Sequence, residues 1–219
     1  MIKALVFDFD GLILETEGPS YQSWSDLYTS FGLSMPLSTW VAIIGTSDGP
    51  FDPARELERR LGKKLDWAVL EPQRKAQEQA LLQAESPLPG VLDYLVDARR
   101  MGLFIGLASS SSSNWVKGHL TRLGLLDYFD SLRTRDHVTL TKPDPALYLA
   151  VLNDFGVPAN QALALEDSPN GIRAAKRAGM YCVAVPNHLT RQLDVSEADL
   201  CLTSLAEIGL ESLLQRLPG

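Results

Sequence analysis

Apolar residues run unbroken from Ala4 to Phe7 and stop at two carboxylates, Asp8 and Asp10, set one residue apart and followed by Gly11. A continuous apolar run of this length predicts a strand buried on both faces, as in the middle of a parallel sheet. The period then changes. Tyr21, Trp24, Leu27, Tyr28 and Phe31 recur at helical spacing after Gly18-Pro19. Asp52-Pro53 offers an N-cap and a first-turn proline to a helix through Leu57 and Leu61, and residues 67–84 are rich in helix formers. No strand pattern interrupts this stretch. From Val91 the texture alternates, predicting helices near 91–98, 115–123, 146–155, 171–178 and 204–217, with strands over 103–108, 162–165 and 181–185. Ser113 or Asn114 is the expected N-cap of the second of these helices.

Strands alternating with helices predict an α/β fold, a doubly wound parallel sheet of Rossmann-like type with right-handed crossovers. The first strand belongs to that sheet. The core therefore comprises residues 1–17 and 87–219, and residues 18–86 form an α-helical domain inserted within it.

Open α/β sheets bind ligands just beyond the carboxyl ends of their strands, and four predicted strand ends carry polar groups of complementary kinds. Asp8 and Asp10 end the first, Ser109 and Ser110 the second, and Glu166-Asp167-Ser168-Pro169-Asn170-Gly171 follows another. Lys142 stands in a proline-flanked turn, Thr141-Lys142-Pro143-Asp144-Pro145, before a helix. Adjacent carboxylates repel unless a cation or a shared proton intervenes, and Mg²⁺ favours carboxylates together with substrate phosphate. Hydroxyls, backbone N–H groups and one ammonium complete a set suited to phosphate oxygens.

Composition narrows the partners. Twenty basic against 27 acidic residues give a net charge of −7 over 219 residues. That balance argues against a general affinity for nucleic acid or an anionic membrane. Cys182 and Cys201 have no Cys or His at metal-ligand spacing, so buried free thiols are expected. The amino terminus lacks a secretory pattern, and no apolar run approaches the ~20 residues that span a bilayer. A cytoplasmic monomer is the expectation.

On these residues the sequence resembles the haloacid dehalogenase superfamily. Asp8-Phe9-Asp10-Gly11 through Thr16-Glu17 looks like its first motif, Ser109 its second, Lys142 its third and Glu166-Asp167 its fourth. Residues 18–86 stand where that superfamily places a helical cap. The run from Glu166 to Ile172 is similar to the subgroup of β-phosphoglucomutase and phosphoglycolate-type phosphatases. The resemblance implies Asp8 as nucleophile, forming an aspartyl-phosphate, and Asp10 as the acid and then the base. It implies Mg²⁺ held by Asp8, the main-chain carbonyl of Asp10 and Asp167, with Glu166 beside them. Gly11, Ser109, Ser110 and Lys142 would bind the phosphoryl group of a small phosphorylated metabolite. Asp10 favours phosphate over halide chemistry, since an alkoxide leaving group needs a proton and a halide does not.

The first motif departs from the family in having Glu15 where Asp is usual, from which an altered loop is expected. Ser20 stands where the mutase has a histidine, and Gly45-Thr46-Ser47 is followed by Asp48 rather than an arginine. A second phosphate would be repelled there, which favours hydrolysis. Arg55, Lys63, Lys64 and Arg74 keep a mutase open as the alternative. A phosphate-binding protein without turnover is the reading from another class. The 44–50 loop, with Gly45 and Gly49, is expected to meet the leaving group as the cap closes. Trp24 and Trp40 are candidates for its pocket or for cap core.

Overall fold

The computed structural model describes residues 1–41 and 51–217. Among them, six strands form one parallel sheet: β1 (Ala4–Phe7), β2 (Phe104–Ser109), β3 (Ser131–Thr134), β4 (Ala162–Glu166), β5 (Tyr181–Ala184) and β6 (Leu200–Cys201). Their spatial order is β3-β2-β1-β4-β5-β6. From β1 the chain proceeds outward to β2 and β3, then returns past β1 to β4. The order reverses at β1, so the crevice beyond its carboxyl end is the expected ligand position in a doubly wound sheet.

Nine helices accompany the sheet among the described residues: α1 (Glu17–Ser30), α2 (Leu37–Val41), α3 (Pro53–Leu61), α4 (Trp67–Ala84), α5 (Val91–Arg100), α6 (Ser113–Arg122), α7 (Ala146–Phe155), α8 (Pro169–Arg177) and α9 (Leu210–Arg216). Alternation along the strands sends side chains to two buried layers. Leu5, Phe7, Ile105, Leu107, Leu163, Leu165 and Val183 pack on one face with residues of α5, α6 and α9. Ala4, Val6, Ala108, Ala162, Ala164, Cys182 and Ala184 pack on the other with residues of α7 and α8. Burial of each large apolar side chain contributes about 1.5–3 kcal/mol, and both faces of β1 receive it.

Two compact units result: Met1–Leu14 with Ser86–Gly219, and Glu15–Glu85. The first boundary falls three residues earlier than the sequence pattern suggests. Glu15 explains the difference: its Oε1 accepts from the backbone N–H groups of Glu17 (3.0 Å) and Gly18 (2.9 Å), tying it to the start of α1. The Glu15 carboxylate thus serves a cap that Thr16 leaves unmade.

In the helical unit, Asp52 caps α3 by accepting from the N–H groups of Ala54 and Arg55, as its sequence predicts. Tyr28 is buried and donates to the Pro53 carbonyl at 2.7 Å. Trp24 and Trp40 are both core residues. Trp24 lies 6.0 Å from Trp67, and the Arg74 guanidinium stacks 4.4 Å above its ring.

Several elements differ from the sequence pattern. α2, β3 and β6 were not predicted, being five, four and two residues long. The cap of α6 is Ser112, which accepts from Trp115 N, in place of Ser113 or Asn114. α8 begins at Pro169 because Ser168 caps it, and α9 begins only at Leu210. The 44–50 loop lies outside the described residues. Among the described residues no helix is long and apolar enough to cross a membrane.

Candidate active site

The register of the sheet brings the first and fourth acidic clusters side by side. Phe7 pairs with Leu165, so Asp8 stands level with Glu166, and Asp8 N donates to the Leu165 carbonyl at 2.9 Å. Lys142 arrives from the turn before α7, where its bond to Pro143 is cis. Its ammonium donates to Asp8 Oδ1 and to Glu166 Oε1, both at 2.6 Å. Tyr148, in the first turn of α7, donates to the same Glu166 oxygen at 2.5 Å. All four side chains are buried.

Burial and the charge of Glu166 push the Asp8 carboxyl up to about 7, against the opposing pull of Lys142. Burial alone would depress the Lys142 ammonium. Asp8 and Glu166 more than offset it and hold the group above its ordinary range, so it stays charged. Burial, then Glu166 and Asp8, raise the Tyr148 hydroxyl well above the usual value, keeping it a donor.

Asp167 completes a candidate cation site. Asp8, Glu166 and Asp167 are all buried, and each offers a carboxylate oxygen within 4.8 Å of the others. Three carboxylates face the single ammonium of Lys142 in this cluster, and a divalent cation fits that oxygen set and its excess negative charge. Two glycines make the crowding possible. Gly11 has φ +81, and a Cβ there would sit 2.3 Å from Asp167 Oδ2. A Cβ on Gly171 would lie 1.9 Å from the Glu166 carboxylate.

Asp10 sits apart from this carboxylate trio. Its Oδ2 accepts from Ser111 (2.6 Å) and Ser109 (3.4 Å), and its Oδ1 accepts from the Trp115 indole at 2.9 Å. Ser109 is fully buried, whereas Ser110 is exposed. The serine run therefore contributes Ser111, not Ser110, to the hydrogen-bonded cluster. Arg74, a sequence candidate for a second phosphate, is buried and engaged by Glu71, Glu78 and Ser23. Its donors are committed to those partners.

The sequence pattern missed Tyr148, Ser111, Trp115 and Asn187. The strand-end rule applied to β5 would have found the last. Asn187 lies just beyond that strand and donates through Nδ2 to Asp167 Oδ2 (3.2 Å) and to the Gly11 carbonyl (3.3 Å). The other three are visible only once the chain is folded.

Comparison with known proteins agrees with this geometry. The family model for haloacid dehalogenase-like hydrolases matches residues 5–185. “Putative phosphatase YhcW” of Bacillus subtilis (strain 168) is 46% identical over 217 residues, covering 99% of this chain and 98% of that one. Fructose-1-phosphate phosphatase YqaB of Escherichia coli (strain K12) is 32% identical over 187 residues, covering 83% of this chain and 95% of its own. The crystal structure of CbbY from Rhodobacter sphaeroides in complex with phosphate superposes with a TM-score of 0.74 at 30% identity, covering 97% of this chain and 99% of that one.

Proposed function

Because the chain belongs to the haloacid dehalogenase-like hydrolases and is a phosphatase of that family, we propose that it hydrolyses a small phosphorylated sugar or polyol through an aspartyl-phosphate on Asp8. The observation that supports this most directly is the buried junction of Asp8, Lys142 and Glu166 with Asp167 alongside, at the carboxyl end of β1. The sugar phosphate named for the YqaB relative and the phosphate bound in CbbY support the substrate class.

In this reading a carboxylate oxygen of Asp8 attacks phosphorus, and the bond from phosphorus to the leaving alcohol breaks. Asp10 gives that oxygen its proton. Asp10 then takes a proton from water, whose oxygen attacks phosphorus, releasing inorganic phosphate and restoring Asp8. Lys142, fixed by two carboxylates, presents positive charge where the phosphoryl oxygens gather. Asp8, the main-chain carbonyl of Asp10 and Asp167 would hold Mg²⁺, whose charge lets an anionic nucleophile approach an anionic phosphate. Ser109, behind Asp10, would donate to a phosphoryl oxygen.

A panel of sugar and polyol phosphates, assayed for released phosphate with Mg²⁺ and with chelator, tests the reading. Phosphate release that needs Mg²⁺ is expected. Absence of Mg²⁺-dependent release from every member overturns it. Isomer interconversion stimulated by a sugar bisphosphate, without net release, would replace it with a mutase.

A further inference from the structure

Both oxygens of the Asp10 carboxylate are held from one segment, the turn that joins β2 to α6. Oδ2 meets two hydroxyls, Ser111 at 2.6 Å and Ser109 at 3.4 Å, and Oδ1 meets the Trp115 indole at 2.9 Å. These donors differ in kind. A hydroxyl rotates about its own bond and exchanges donating for accepting, whereas an indole N–H only donates, along a direction fixed by its ring.

The ring is itself anchored by its helix and a neighbouring ring. Trp115 lies in the first turn of α6, with its backbone N–H bonded to the capping Ser112 hydroxyl at 3.4 Å. One turn later, His119 packs edge-on against the indole with ring centroids 4.4 Å apart, and the Phe9 ring centroid lies 6.1 Å from that of His119. The turn is anchored as well: the Ser111 carbonyl accepts from Arg135 N at 3.1 Å, and Ser111 N donates to the Ser109 hydroxyl at 3.0 Å.

We infer that Trp115 is a positioning residue for the reaction, its helix-anchored N–H fixing the orientation in which Asp10 serves the leaving oxygen. The inference rests on the reading of Asp10 as the group that protonates that oxygen. A carboxylate at the end of two rotatable bonds meets a departing alkoxide in few of its orientations, and a fixed donor on one oxygen removes most of the unproductive ones. The benefit depends on the leaving group. A sugar or polyol alkoxide needs the proton in order to leave, whereas p-nitrophenolate departs largely without it.

The test compares kcat/KM for p-nitrophenyl phosphate with kcat/KM for the sugar or polyol phosphate that the wild-type enzyme cleaves fastest. This parameter runs from free enzyme to alcohol release, so it excludes later hydrolysis of the phosphoenzyme. Trp115→Phe keeps an aromatic ring against His119 and deletes the N–H. It is expected to raise the ratio of the aryl to the alkyl substrate about 10-fold, part of the roughly 10²–10⁴-fold that general acid catalysis supplies. Asp10→Asn should raise the ratio further, and adding Trp115→Phe to Asp10→Asn should change it no more, because Trp115 acts through Asp10.

An equal loss on both substrates in Trp115→Phe, or an unchanged ratio while Asp10→Asn shifts it, overturns the inference and leaves the function standing. An unchanged ratio in Asp10→Asn overturns the acid role itself, and the inference with it. If Trp115→Phe fails to fold, site-specific replacement of Trp115 by β-(3-benzothienyl)alanine keeps the bicyclic shape and exchanges N–H for sulfur. The same ratio then decides.

Discussion

Two buried ionic clusters, one in each unit, are built on opposite principles. In the helical unit, Arg74 is closed in by Glu71 at two nitrogens, by Glu78 at a third, by the Ser23 hydroxyl and by the face of Trp24. The hydrogen bonds from Arg74 hold Glu71 below its ordinary range. In the sheet unit, Asp8 and Glu166 share the Lys142 ammonium with Asp167 alongside, and burial pushes Asp8 up to about 7. The same kind of acid shifts in opposite directions because Asp8 is deeply buried beside a second carboxylate, whereas Glu71 is partly exposed and accepts two hydrogen bonds from one guanidinium. A finished ion cluster serves the fold. A cluster left short of positive charge suits, on the proposed function, a cation that would draw the anionic substrate in with it.

The sharpest way to separate the two is to remove an acid from the deficient one. Asp8→Asn should lower phosphate release by about 10⁴-fold or more, because the proposed function makes Asp8 the nucleophile. Thermal unfolding of the metal-free variant should occur at or above the wild-type midpoint, since a repelling charge has gone. A clear drop in midpoint would mean that Asp8 belongs to the fold as Arg74 does.

Breaking the complete cluster should do the reverse. Removing one partner of a buried ion pair costs about 3–5 kcal/mol. The side chains of Glu71 and Glu78 retain 32% and 21% exposure, which moderates the loss. Arg74→Met is therefore expected to cost about 2–4 kcal/mol, read from the urea midpoint.

The smallest effect is a slope. Unfolded aspartate titrates near ~3.9. Because folded Asp8 is raised to about 7, the folded protein binds more protons than the unfolded chain between those values. Metal-free stability should then fall as pH rises from about 4 to 7, by about 1–2 kcal/mol because the cluster shares the proton. Denaturation series at several pH values would read it. The slope should flatten in Asp8→Asn and in saturating Mg²⁺.

The acids and the lysine were legible in the sequence because each ends an apolar run or stands between prolines, and topology alone delivers such positions to one edge. β3 was not legible. Its four residues include Arg133, whose pairing with Asp154 replaces apolar patterning at this edge strand. Tyr148 and Trp115 were read as ordinary helix residues, since what distinguishes them is a polar tip reaching an acid far away in sequence. Within the serine run, backbone geometry decides which hydroxyl faces Asp10, and Ser111 is the nearest. Arg74 erred the other way. Its charge suggested a ligand, while its ionic partners lie one helical turn away on the same helix and its remaining contacts are with Ser23 and Trp24 of α1.

Gly171 carries a consequence for anyone who would redesign or trace this protein. The carboxylate of Glu166 occupies the volume in which any side chain at 171 would have to begin. The two positions are therefore sterically coupled: an acid of that length commits its neighbour on α8 to glycine, and any larger residue there would require the acid to shorten or swing away. A laboratory evolution experiment aimed at Glu166 should vary both codons together, because single changes at the glycine would be discarded before their merit could be seen.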